Sequence, residues 1–119
     1  MKTTLVIGAS EKPDRYAFKA ITQLVKAGHP VIAFGPRKGT VAGIDFETEW
    51  NKDWQVDTVT LYVNPERLEQ YKTAILALHP KRVIFNPGTE HFEFIEALRA
   101  KGIVAEVACT LVLLSLHDY

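Results

Sequence analysis

The apolar positions of this chain fall into two alternating kinds of segment. Short runs rich in β-branched residues, Thr3 to Ile7, Pro30 to Phe34, Val56 to Val63, Lys81 to Phe85 and Ile103 to Ala108, read as strands. The unbroken Leu5-Val6-Ile7 suits a strand buried on both faces of a parallel sheet. Between these runs apolar residues recur at helical spacing. One set is Ala17, Ile21, Leu24 and Val25, a second is Leu68, Tyr71, Ile75 and Leu78, and a third is Phe92, Ile95, Leu98 and Ala100. An apolar segment after Cys109 reads as a last helix.

Local signals set the ends of these elements. Asp14 is placed to cap a helix that starts near Arg15, and Gly28 to end it as its C′ residue. Pro65 suits the first position of the second helix, and Glu90 is placed to cap the third. Val41 to Phe46 reads as a short extra element. The polar stretch Glu47 to Gln55 reads as a loop that lays Trp50 and Trp54 on the edge of the domain. Alternating strands and helices predict an α/β fold. It is Rossmann-like and doubly wound, one domain over residues 1–119, with a mainly parallel sheet and helices on both faces. Ligands of such sheets bind beyond the C-terminal strand ends, where the strand order reverses. Three turns are expected to converge there: Gly8-Ala9-Ser10, Gly35 to Gly39, and Val63-Asn64-Pro65.

Composition narrows the choice of ligand. The 119 residues carry 14 cationic and 14 acidic side chains, for a net charge of zero. That gives no general attraction to nucleic acid or to an anionic membrane, so an anion site has to be local. The single cysteine, Cys109, excludes an internal disulfide framework. No apolar run approaches the roughly 20 residues of a membrane span, and no leader peptide is recognisable, so a cytoplasmic location is expected.

The turn after the first strand departs from the dinucleotide fingerprint G-x-G-x-x-G: Gly8 fills its first place, but Ser10 and Pro13 stand at the second and third. Ser10 brings a hydroxyl that can bond a phosphate oxygen. A plain strand-to-helix turn capped by Ser10 would use the same residues. After the second strand an NAD site carries an acidic residue. Here the sequence is Phe34-Gly35-Pro36-Arg37-Lys38, whose two cations suit a phosphate monoester, as on the ribose of coenzyme A or NADP. A solvated loop pair is the alternative. Arg15 can reach back over a diphosphate, and an Arg suits that bidentate task. Tyr16 is either beside that ligand or a core residue. Val63-Asn64-Pro65 either starts a helix or frames an adenine face.

Taken in order, these residues resemble a known family. Ile7-Gly8-Ala9-Ser10, Arg15-Tyr16, Gly28, Gly35-Pro36-Arg37-Lys38-Gly39, Gly43, Val63-Asn64-Pro65 and Asn86-Pro87-Gly88-Thr89-Glu90 look like the small CoA-binding domain proteins. These are similar to the CoA-binding domain of the succinyl-CoA synthetase α subunit. The resemblance covers nearly the whole chain. It implies that Gly8, Ala9, Ser10 and Arg15 meet the diphosphate, that Lys38 and Arg37 meet the ribose phosphate, and that Val63 and Pro65 meet the adenine. The chain has Gly35-Pro36 where the family commonly has Asn-Pro, and Cys109 lacks the synthetase's flanking Gly-Pro-Asn and Pro-Gly.

None of His29, His79, His91 and His117 has a partner at metal-ligand spacing, and no nucleophile–base pair stands out. The expectation is a protein that binds coenzyme A or an acyl-CoA without catalysis of its own, alone, as a homo-oligomer or with a protein partner. The rival classes are an NADP-binding enzyme or redox sensor, and a subunit-interaction module.

Overall fold

The computed structural model describes residues 1–119. In chain order the elements are β1 (Thr4–Ile7), α1 (Tyr16–Lys26), β2 (Val31–Phe34), β3 (Thr40–Val41), β4 (Ile44–Asp45) and β5 (Thr58–Leu61). They continue with α2 (Pro65–Leu68), α3 (Lys72–Leu78), β6 (Arg82–Phe85), α4 (Phe92–Ala100), β7 (Val104–Val107) and α5 (Thr110–Ser115). Five strands form one parallel sheet in the order β2-β1-β5-β6-β7. The strand order therefore reverses between β1 and β5, which sets the ligand crevice at their C-terminal ends.

Central strands explain the apolar runs. All four residues of β1 and all four of β5 are buried. One face of the sheet packs Leu5, Ile7, Val59, Leu61, Val83 and Phe85 against Leu68, Ile75, Phe94 and Leu98. The other face packs Val6 and Ala33 against Ile21 and Leu24 of α1, with Val41 and Phe46. Burial of each of these side chains larger than alanine contributes about 1.5–3 kcal/mol. No helix is long and apolar enough to cross a membrane.

The β2 edge is covered, and the β7 edge is blocked at one carbonyl. At β2 the β3–β4 hairpin turns through Ala42 and Gly43, both at positive φ, as a two-residue hairpin of this hand requires. Glu47 then continues along the edge, accepting from Gly35 N–H and donating to Ala33 O. At β7 the Arg99 guanidinium donates to Ala105 O at 3.0 Å, occupying a carbonyl that another strand would otherwise use.

Several local expectations change. Asp14 does not cap α1: the N-cap is Arg15, and no side chain bonds the first turn. Glu90 does not cap α4. It accepts from Gly88 N–H, while His91 Nδ1 accepts from Phe94 N–H at 3.1 Å. With Nδ1 an acceptor, the neutral ring carries its proton on Nε2, which faces the Glu69 carboxylate. The hydrogen bond from His91, and then Lys72, holds the Glu69 carboxyl below its usual range. The second helix is not continuous but passes through a 3-10 turn at Glu69–Tyr71 between α2 and α3. Phe92 and Ala100 face solvent, and Phe94 takes the core position, because Phe94, Ile95 and Leu98 fall within about a 100° arc of the helix and Phe92 and Ala100 lie outside it. The strand predicted over Val56 to Val63 narrows to Thr58–Leu61.

Candidate functional site

A cavity of about 540 Å³ opens at the C-terminal ends of β1, β2, β5 and β6. That volume is within the range of small-molecule sites. Its floor is Gly8-Ala9-Ser10, its walls are the starts of α1 and α2, and its far side is Pro87-Gly88-Thr89. Eight of the ten residues singled out from the sequence line it: Gly8, Ala9, Ser10, Arg15, Tyr16, Arg37, Val63 and Asn64. Two do not. Lys38 lies on a separate depression with Asp45, Glu47 and Glu49, because the chain turns away after Arg37 toward β3. Pro65 is the first residue of α2, its ring placed outside the cavity wall.

Gly8 is at φ +96°, and a Cβ there would stand 2.7 Å from Tyr62 O. The glycine thus lets β1 turn directly against the backbone of β5. The amides of Gly8 and Ala9 both donate to Phe34 O, at 3.0 Å each, so they hold β1 to β2 rather than facing a ligand. The donors left for an anion come later. Ser10 Oγ accepts from Lys12 N–H at 3.1 Å, which leaves its own O–H to donate. The first-turn amides of α1 have no intrahelical acceptor and no capping side chain, and Tyr16 and Ala17 of that turn line the cavity.

The charge of the lining is one-sided. Lys12, Arg15, Arg37 and Arg67 line the cavity, and no carboxylate, histidine or cysteine does. None of these four side chains makes an ion pair. In a chain of zero net charge this is a local positive field. Sequence reading missed Lys12 and Arg67. Arg67 had a readable signal, since it lies in the first turn of a helix starting at Pro65. Asn64 lines the cavity while its Oδ1 caps α2, accepting from Arg67 N–H at 2.8 Å.

A buried polar network fixes the far wall. Asn86 Nδ2 donates to Thr60 Oγ1 and to Leu61 O, and Asn86 Oδ1 accepts from Thr110 N–H at 2.9 Å. Thr89 Oγ1 donates back to Asn86 O at 2.8 Å. The Thr60 and Thr110 hydroxyls bond each other at 2.8 Å. Tyr62 OH lies close to both but makes no well-formed hydrogen bond to either. Burial pushes its pKa up to about 12, with the threonine hydroxyls partly offsetting, so it stays neutral near pH 7. Tyr62→Phe is accordingly expected to leave stability unchanged or to raise it by up to about 1 kcal/mol, because it removes an unsatisfied buried hydroxyl. Urea denaturation of the two chains checks this, and a clear loss would show that the hydroxyl has a partner.

On three sides, then, the aromatic wall (Phe34, Tyr71), the cationic rim and the uncapped helix suit a ligand with a flat ring and several anionic groups. Comparison with known proteins agrees in kind. The family described as a CoA binding domain matches residues 2–115. Among solved structures, the crystal structure of an uncharacterized protein is 45% identical with a TM-score of 0.96, covering 100% of this chain and 98% of its own. A Thermus thermophilus structure, cell-free ID.343, is 27% identical with a TM-score of 0.85, covering 99% of this chain and 90% of its own. A hypothetical protein from Pyrococcus horikoshii OT3 is 24% identical with a TM-score of 0.81, covering 93% of this chain and 80% of its own, and shares the fold. A search of curated proteins finds no match to the chain.

Proposed function

Because the chain belongs to the CoA-binding domain family, we propose that the cavity at the β1/β5 crevice binds coenzyme A or an acyl-CoA. The observation that carries this reading is the set of four unpaired cations on a cavity wall without a carboxylate. In this assignment the Ser10 hydroxyl, the first turn of α1 and Arg15 hold the diphosphate. Arg37 meets the ribose phosphate beyond β2. Val63 and Asn64, with Phe34 and Tyr71, form the less polar walls against which the adenine and the pantetheine arm lie. We read the role as binding: the wall holds no carboxylate, histidine or cysteine to serve as the base beside the Ser10 or Thr89 hydroxyl.

A thermal-shift panel tests the assignment, since a ligand that binds only the native state raises the melting temperature. Coenzyme A is expected to give the largest shift, dephospho-coenzyme A a smaller one, and NAD and ATP less again. A larger shift with NADP would move the assignment to a nicotinamide-dependent protein. No shift with any of these would leave a subunit-interaction module as the reading.

A further inference from the structure

The loop from Gly35 to Gly39 carries Arg37 and runs into β3 at Thr40, whose hydroxyl donates to Asp45 Oδ1 at 2.8 Å; few other contacts within its own part of the chain hold it. Gly35 N–H donates to Glu47 O at 3.1 Å, and Phe46 N–H donates to Gly39 O at 2.8 Å. Between these two ties Pro36 has no N–H, and neither Arg37 nor Lys38 makes an ion pair.

One side-chain hydrogen bond ties the end of this loop to the turn after β1. Glu11, in the turn after β1, accepts from Thr40 N–H at 2.8 Å across 29 residues of sequence. The stem of Glu11 lies flat on Gly39: a Cβ on Gly39 would stand 2.6 Å from Glu11 Cδ and 2.7 Å from its Cγ. Gly39 is not at positive φ, so what its missing side chain provides is room for this carboxylate. Although two cations stand in the same loop, Glu11 pairs with neither and binds a backbone amide instead. It leaves Arg37 free while fixing the chain that carries it.

Resting on the coenzyme A reading above, we propose that Glu11 is a positioning residue. It latches the basic loop to the β1–α1 turn so that Arg37 is held at the cavity rim, and it thereby sets the preference for a ligand with a ribose phosphate. An unlatched loop would have to be ordered at each binding event, and that ordering cost subtracts from affinity. Only the part of the ligand that Arg37 touches would feel it.

The experiment compares wild type, Glu11→Ala and Glu11→Gln by isothermal titration with coenzyme A and dephospho-coenzyme A. Loss of one hydrogen bond that orders a loop predicts a drop in coenzyme A affinity of about fivefold in Glu11→Ala. Dephospho-coenzyme A affinity should stay within about twofold of wild type, since it lacks the phosphate that Arg37 would meet and distant sites add independently. Glu11→Gln should recover most of the loss, because its amide oxygen accepts the same bond. An equal loss for both ligands, no loss at all, or no recovery in Glu11→Gln would overturn the proposal. Amide hydrogen exchange at Thr40 reads the latch without any ligand. Protection in wild type and Glu11→Gln but not in Glu11→Ala supports it, and equal exchange in all three refutes it. A wild type that binds neither ligand yet protects Thr40 would overturn the coenzyme A reading while leaving the latch in place.

Discussion

Gly8→Val is expected to abolish coenzyme A binding and to destabilise the fold by about 3 kcal/mol or more, the sum of a strained φ and an overpacked contact. Two independent features lead to this. The residue sits at φ +96°, where a β-branched side chain is strongly disfavoured. Its Cβ would also meet Tyr62 O at 2.7 Å, Tyr62 C at 2.9 Å and Val63 Cγ1 at 3.2 Å. The first two atoms are backbone of the chain leaving β5, which cannot rotate away as a flexible side chain would. Relief would require β1 and β5 to separate at the crevice, and the bonds from Gly8 and Ala9 to Phe34 O would strain with them. Chemical denaturation followed by circular dichroism gives the stability, and titration calorimetry gives the binding. If Gly8→Val unfolds like wild type, the close approach of β1 to β5 is not rigid, and the floor of the site is wrongly placed.

The second large effect is confined to binding. The double variant Arg15→Ala/Arg37→Ala should lose about 100-fold in coenzyme A affinity, as two charge-assisted hydrogen bonds to phosphate are removed. Its stability should stay within about 0.5 kcal/mol of wild type, because exposed side chains without partners contribute little to the fold. Both arginines are exposed and neither forms an ion pair. Added salt should weaken wild type more steeply than the double variant, since the attraction is between charges open to solvent and is screened over about 8 Å at physiological ionic strength. Lys38→Ala serves as the neighbouring control and should matter much less than Arg37→Ala, given its place on the separate depression beside Asp45 and Glu47. If Lys38→Ala and Arg37→Ala lose affinity equally, the ribose phosphate lies over that depression. If the double variant binds as well as wild type at low salt, the cations are only a solvated rim.

What could be read from the sequence followed the strength of the local signals. Runs such as Leu5-Val6-Ile7 and Val83-Ile84-Phe85 mark central strands because burial on both faces leaves no place for polar alternation. The crevice followed from the alternation of strands and helices together with Gly8. The helix starts were less legible. Asp14 is a good capping residue by type, yet α1 begins one residue later than it would need to, leaving its first amides open at the cavity. His91 caps α4 with an imidazole nitrogen, a role that residue preferences assign to shorter polar side chains. In the site, Arg37 and Lys38 are adjacent in sequence and diverge in space, because the turn into β3 separates neighbouring side chains. Lys12 falls in a loop whose local pattern is complete without a ligand, whereas Arg67 is legible from its place in the first turn of the helix that Pro65 opens.

The two tryptophans give the protein an optical property. Trp50 stacks on Tyr71 with centroids 6.0 Å apart and meets Phe34 edge-on at 5.3 Å, and Trp54 meets Phe34 at 6.0 Å. Phe34 and Tyr71 are themselves part of the cavity wall. The chain has no other tryptophan. Its indole emission therefore arises entirely from a cluster one side chain behind the wall. Any occupant that presses on Phe34 or Tyr71 alters the packing and polarity around both indoles at once, so the spectrum of the unlabelled protein is a direct readout of that wall.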